Sequence, residues 1–202
     1  TLSGSNSNNN NIQGNTFNST LAINQSGHQF TTVENNFEGA VSISADGDNT
    51  VITLGDFNAN ATLTTNAGAS GVNVSQSSFV EAVTINGATS TLNNNTFAST
   101  AAMTGSSATF TNNATVTGSA TFSGTNPNID SNTFTAGVTI SEANSDANII
   151  HSANTYNGAV AINANGHNFN TSNFNNTLGG SGNTLTFNTN GQNANRNTFA
   201  GA

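Results

Sequence analysis

The sequence has no cysteine, a single basic residue, Arg196, and charged side chains at only 5% of its 202 positions. Without cysteine, neither disulfides nor thiolate metal sites are available. With nine acids against one cation and a net charge of −8 at pH 7, the Lys/Arg stripe that nucleic acid requires is missing, so nucleic acid is excluded as a partner. Anionic membrane surfaces are disfavoured for the same reason. No apolar run is long enough to span a bilayer, and no membrane insertion is expected of this segment. Thr1 opens no signal peptide; for a secreted protein the leader is expected to lie outside this sequence. Hydrophobic residues make up 33% of the chain, a level that drifts toward disorder. Their spacing, however, has an order that a disordered chain has no reason to keep. The lack of cysteine and of charge fits a bacterial surface protein, and an extracellular or cell-surface location is expected.

What the sequence does contain is a beat. Asn95-Thr96-Phe97 is followed four residues on by Ala101, six on by Met103 and thirteen on by Phe110. The same spacing returns from Phe134 through Val138 and Ile140, and from Tyr156 through Val160, Ile162 and Phe169. Anchors fall at Phe17, Phe37, Phe57, Phe79, Phe97, Val116, Phe134, Tyr156, Phe174 and Phe199, separated by 20, 20, 22, 18, 19, 18, 22, 18 and 25 residues. Apolar pairs four and six after the anchor include Leu21/Ile23, Val41/Ile43, Ala61/Leu63, Val83/Ile85 and Ala120/Phe122. A third apolar position comes thirteen after it, at Phe30, Leu92, Phe110, Ile129, Phe169 and Phe187. After Phe37, Phe57 and Phe134 loop insertions are expected to displace it to Val51, Val72 and Ile149.

Alternation at period two gives a short strand with every second side chain turned inward. Helix is disfavoured by the β-branched, Thr- and Asn-rich composition and the closely spaced glycines. Because the parts recur in the same order in each copy, the copies are expected to stack in parallel. The expected fold is all-β, a parallel β-helix (β-solenoid) of about 9–10 coils of 18–25 residues, with coils ~4.8 Å apart. No linker or composition shift divides it, and residues 1–202 are expected to form one domain. Since Ile12 reads as the tail of an earlier coil and the chain stops soon after Phe199, it is expected to be a segment of a longer protein or a subunit that associates with itself end to end.

Asn15, Asn35, Asn95, Asn132, Asn154 and Asn197 stand two residues before their anchors. Stacked at one corner, their amides can bond up and down the pile as an asparagine ladder. Independent Asx turns are the alternative. Gly27, Gly47, Gly87, Gly105, Gly124 and Gly166 mark the next corner, with Asn86-Gly87 and Asn165-Gly166 suited to positive φ.

Catalytic and metal chemistry has few footholds. His28 and His167 share a repeat position seven coils apart, His151 lies elsewhere on the coil, and all three are expected to be exposed corner residues rather than ligands. Asp46-Gly47-Asp48, Glu142 with Asp146, and Gly179-Gly180-Ser181-Gly182-Asn183 fall short of a calcium loop's ligand pattern. Asp56 and Glu81 belong to successive coils without a common facing position, which gives polysaccharide cleavage little support. The outward face of the first strand is more distinctive. Thr62, Thr64, Thr84, Thr104, Thr121 and Thr139 belong to two ranks of small hydroxylated residues ~7 Å apart along the strand, similar to the threonine ranks of ice-binding solenoids. Ala22, Ala102 and Ala161 interrupt them, and Thr is in any case a favoured exposed strand residue. Eight Asn-x-Ser/Thr sequons, Asn18, Asn60 and Asn113 among them, are what this composition generates by chance.

The phrase Asn-Thr-Phe followed by small residues and Val-Thr-Ile or Ala-Thr-Phe, as from Asn132 to Ile140 and from Ala114 to Phe122, resembles the repeat regions of vacuolating-cytotoxin-like autotransporter passengers of Helicobacter-type bacteria. The resemblance covers nearly the whole chain. It implies a right-handed parallel β-helix on the bacterial surface, concerned with adhesion or host interaction. The membrane barrel and pore-forming segment of such families have no counterpart in this sequence. The expected function is that of a non-enzymatic structural or adhesive surface solenoid, a stalk, passenger or filament subunit. It would need no cofactor, and a host or surface glycan or a protein receptor is the expected partner. An ice-binding solenoid and a polysaccharide-cleaving β-helix are the alternatives.

Overall fold

The computed structural model describes residues 11–23, 29–30, 34–43, 51–64, 71–86, 89–105, 107–113, 115–142, 150–163, 166–175, 185–187, 193–195 and 198–200. The fold is an all-β parallel solenoid, with no helix among the described residues. Each anchor ends or sits in a strand of a ten-stranded sheet running from Thr16–Phe17 to Thr198–Ala200. The pairs four and six residues later form a nine-stranded sheet from Leu21–Ile23 to Leu185–Phe187. The third face comes in two pieces. Seven strands end at Asn128–Asp130, and three begin at Ile150–Ser152.

Like residues sit above like. Phe37 pairs in register with Phe57, Phe57 with Phe79, and Phe79 with Phe97. Their rings stack at centroid distances of 4.6, 4.4 and 5.0 Å. Phe17 begins this column half-buried, 5.3 Å from Phe37. The column resumes with Phe134, Tyr156 and Phe174, stacked at 5.3 and 4.9 Å. Between the two runs stands Val116, too small to fill its layer. Phe110 and Phe122 compensate, the first stacking on Phe134 at 6.1 Å and the second meeting it edge-on at 6.3 Å. Close packing tolerates a small anchor only where a neighbour supplies the missing volume.

The third inward position is corrected at four places. Ile52 and Val74 hold it, paired with each other, while Val51 pairs with Asn73 on the outward side. Val72 is buried as well, but it precedes the strand. In the next long coil the inward residue is His151, paired with Phe169; Ile149 lies outside the described residues. Phe187 belongs to the nine-stranded sheet, in register with Ile162, and it is Ala194 that pairs with Phe169 on the third face. Insertions of unequal length defeat counting forward from the anchor, because a slip of one residue exchanges the faces of a strand.

The corner between the third face and the anchor sheet repeats one recipe in eight coils. One residue takes the left-handed conformation: Gly14, Leu54, Gln76, Asn94, Asn112, Ser131, Ala153 and Thr171 all have φ between 51° and 61°. The residue after it takes the ladder position, held by Asn or Ser except at Gly55, which has no side chain. Asn113 Nδ2 donates to Asn132 Oδ1 at 2.9 Å, and Asn132 Nδ2 to Asn154 Oδ1 at 3.1 Å. Each ladder oxygen also accepts the main-chain N–H of the preceding ladder residue, as from Asn95 to Asn113 at 2.9 Å and from Asn113 to Asn132 at 3.0 Å. Amide nitrogens reach back to carbonyls across the corner, Asn132 to Phe110 at 2.8 Å and Asn154 to Ile129 at 2.9 Å. Left-handed backbone costs a non-glycine residue about 1–2 kcal/mol, and the ladder supplies the bonds that offset it.

Asn35, Asn95, Asn132 and Asn154 are buried in this column; Asn15 is exposed, its amide reaching Asn35 at 3.5 Å. Asn113 belongs to it too, three residues before its anchor instead of two. Ser77 and Ser172 fill two further levels through their hydroxyls, bonded to the N–H of Gly55 at 3.0 Å and of Asn154 at 3.3 Å. At the next corner Gly124 is required by contact, since a Cβ there would lie 2.0 Å from the Gly105 carbonyl oxygen. Gly166 is required by its φ of 83°.

Candidate functional site: an outer polar rank and a buried histidine pair

The outward residues of the nine-stranded sheet follow each other strand by strand, Ser42 beside Thr62, then Thr84, Ala102, Thr121, Thr139 and Ala161. Thr62 is exposed, and Thr84, Thr121 and Thr139 are partly so. The second rank, two residues on, holds Thr64, Asn86 and Thr104. Its polar groups bond among themselves: Asn86 Nδ2 donates to Thr64 Oγ1 at 3.5 Å, and the Thr104 hydroxyl to Asn86 Oδ1 at 2.5 Å. The face therefore offers a repeated strip of hydroxyl and methyl groups, partly committed to one another.

The acids do not form a cleft pair from Asp56 and Glu81. The partner of Asp56 is Glu34, one coil earlier, whose carboxyl pKa is raised by a hydrogen bond from carboxyl to carboxyl and by repulsion between them. Two carboxyls in direct contact, Glu34 exposed and Asp56 partly so, leave no room for the water or sugar that glycoside hydrolysis places between its acids. Glu38 is held by Asn36 at 2.8 Å and Asn58 at 3.3 Å. Asp46, Asp48, Asp146, residues 179–183 and His28 lie outside the described residues. Among the described residues no three His, Cys, Asp or Glu side chains gather as metal ligands, and no helix is long and apolar enough to cross a membrane.

The expectation of exposed corner histidines is overturned for His151 and His167. Both are 0% exposed. His151 occupies the third inward position, where the neighbouring coils place Ile129 and Phe169, and His167 enters from the corner just ahead of the Asn168–Asn170 strand. His151 Nε2 and His167 Nδ1 are 2.9 Å apart, and the rings lie 5.1 Å apart at 25°. Their tautomers follow from the far partner. The main-chain carbonyl of Glu142 can only accept, so His167 Nε2, 2.8 Å away, carries its proton. His167 Nδ1 is then the acceptor and His151 Nε2 the donor, which leaves His151 Nδ1 a bare lone pair. That nitrogen is buried without a hydrogen-bond partner, as are the Tyr156 hydroxyl and Asn170 Oδ1.

Burial pushes the His151 pKa down to about 3, and the neighbouring His167 adds to the shift. Burial lowers His167 as well, opposed in part by its bond to Glu142. Tyr156 is raised by burial and by the charge of Asp130. That carboxylate accepts a hydrogen bond from the Ser152 hydroxyl.

A backward count finds this pair where the forward count missed it. The inward residue stands three before the ladder residue at Ile52/Gly55, Val74/Ser77, Leu92/Asn95, Phe110/Asn113, Ile129/Asn132, His151/Asn154 and Phe169/Ser172. The corner keeps one length in these seven coils, two residues shorter than between Phe30 and Asn35, whereas the loops on the other side vary more.

No family model matches the chain, and no curated protein or solved structure matches it either. The resemblance to autotransporter passenger repeats therefore rests on the repeat phrases alone.

Proposed function

We propose that the chain is a non-enzymatic structural solenoid displayed outside the cell, a stalk, passenger or filament segment whose outer ranks meet a surface glycan or a protein receptor. The observation that supports this reading is the unbroken register of the nine-stranded sheet from Leu21–Ile23 to Leu185–Phe187. Register of that length gives a stiff column with one surface motif repeated along it, which suits adhesion through many weak contacts. The low charge and the likeness to passenger repeats point the same way. Purified protein is imaged by negative stain and applied to arrayed glycans and cell-surface proteins, beside a triple variant Thr62→Glu, Thr84→Glu, Thr121→Glu. Rods that bind through the threonine face, with binding lost in the variant, are the expected result. Release of reducing ends from neutral or acidic polysaccharide would replace this reading with the glycan-cleaving one.

The in-register Thr62, Thr84, Thr121 and Thr139, with Thr64 and Thr104 as a second rank, favour ice binding as a second reading. Thermal hysteresis in a cooled droplet tests it, and none at high protein concentration removes it.

A further inference from the structure

We propose that the joint between the Asn128–Asp130 and Ile150–Ser152 strands is an acid-sensitive seam, where proton uptake by the His151–His167 pair releases the coils on its C-terminal side while those from Asn35 to Asp130 stay stacked. Three observations converge on this joint. The third face is continuous in its strand pairing up to Asp130 and starts again at Ile150, so the ladder is broken on this face while the other two sheets pair across the joint. Corner bonds span the gap on this face instead: Ser131 N–H to the Ser152 carbonyl at 2.9 Å, the Ser152 hydroxyl to Asp130, Asn132 Nδ2 to Asn154 Oδ1 at 3.1 Å and Asn154 Nδ2 to the Ile129 carbonyl at 2.9 Å. Directly above the gap, a position filled by Phe, Ile, Leu or Val in neighbouring coils is filled by an imidazole with no exposure to water.

The surroundings have no place for a cation. The preceding strand carries one acid, Asp130, and its carboxylate is engaged by Ser152. From the following corner Glu142 presents its main-chain carbonyl, with an exposed side chain. Tyr156 contributes a buried neutral phenol, and among the described residues the remaining titratable neighbour is His167 itself. One proton on the pair sits at His151 Nδ1, buried with no acceptor; a second places two N–H groups head to head across 2.9 Å. A buried charge without a partner is relieved by opening the site to water. The stack is held by nearest-neighbour contacts, so opening at one joint need not melt the rest.

The molecule carries its own reporter. Tyr156 is the only tyrosine and there is no tryptophan, so tyrosine fluorescence reports on this coil alone. Acrylamide quenching of Tyr156 is followed from neutral pH to about pH 4 beside far-ultraviolet circular dichroism, for the wild type and for His151→Phe. The expected result is a rise in the quenching constant of about threefold as local opening sets in, with most of the β signal kept and no rise in His151→Phe. Unchanged quenching, a rise that only follows complete loss of the β signal, or the same rise in His151→Phe overturns the seam. Should His151→Phe lack the β spectrum at neutral pH, the imidazole proton resonances of the wild type decide. Two histidines titrating well below the ordinary value as Tyr156 becomes exposed support the seam. Tyr156 still shielded once those two are charged overturns it.

Discussion

The coils from Asn35 to Asp130 and the coil that closes on Tyr156 share a backbone plan and differ in what fills it. In the first region the third inward position holds Ile52, Val74, Leu92, Phe110 and Ile129, all buried. In the second it holds His151, hydrogen-bonded to His167. The difference teaches that register, set by the corner and its ladder, chooses which residue goes inside, and that chemistry has to accommodate the choice. An apolar residue there is indifferent to pH; an imidazole is stable only while neutral.

The largest break in this comparison is expected from Phe134→Asp, which buries a carboxylate in the column between Val116 and Tyr156. A loss of at least about 4 kcal/mol is expected, read as a collapse of the urea midpoint. Thr139→Asp, five residues on and facing outward, should stay within about 0.5 kcal/mol; equal losses would overturn the assignment of faces.

Acid comes next. Above the unfolded value of 6.5 the folded His151 pays no penalty, and its folded value is about 3. As pH falls between those values the unfolded chain takes up a proton that the folded one refuses, so stability is lost through that window. At pH 4 the loss from His151 is about 3 kcal/mol, and His167 adds to it in the same direction. Urea titrations at neutral and acid pH should show this difference shrinking in His151→Phe. An unchanged difference would mean that the carboxylates, and not the imidazole pair, set the acid response.

The ladder gives a smaller step. Asn132→Ala removes the bonds to Phe110 and Asn154 and strips the Asn113 N–H of its acceptor. The expected cost is about 2–3 kcal/mol, with Asn132→Ser milder because Ser77 already serves at an equivalent level. The smallest effect is expected from Ala153→Gly. Ala153 holds a φ of 52°, and glycine there should raise the thermal midpoint slightly, by about 0.5 kcal/mol of stability. A decrease would mean that chain entropy outweighs the relief of strain.

Much of the fold was legible because alternation at period two states which side chains share a face without reference to anything distant. Phe37, Phe57, Phe79, Phe97, Phe134, Tyr156 and Phe174 are buried as anchors for this reason. The candidate site was less so. Counting forward across an insertion of unequal length points to Ile149 as the inward residue and passes over His151. Leu54, Ala153 and Thr171 give no hint of left-handed backbone by residue type, since Gly or Asn is the usual sign. Asn113 escaped because it stands one residue out of phase with the other ladder asparagines.

By itself the sequence determined the period, the anchor column, most of the inward pairs of the nine-stranded sheet and the parallel order of the copies, all of which follow from local spacing. Only the tertiary structure decided that Phe110 and Phe122 fill the layer of Val116, that Glu34 meets Asp56, and that His151 meets His167. Those meetings join different coils, and the register between coils is fixed by hydrogen bonds and corner contacts that no single repeat contains.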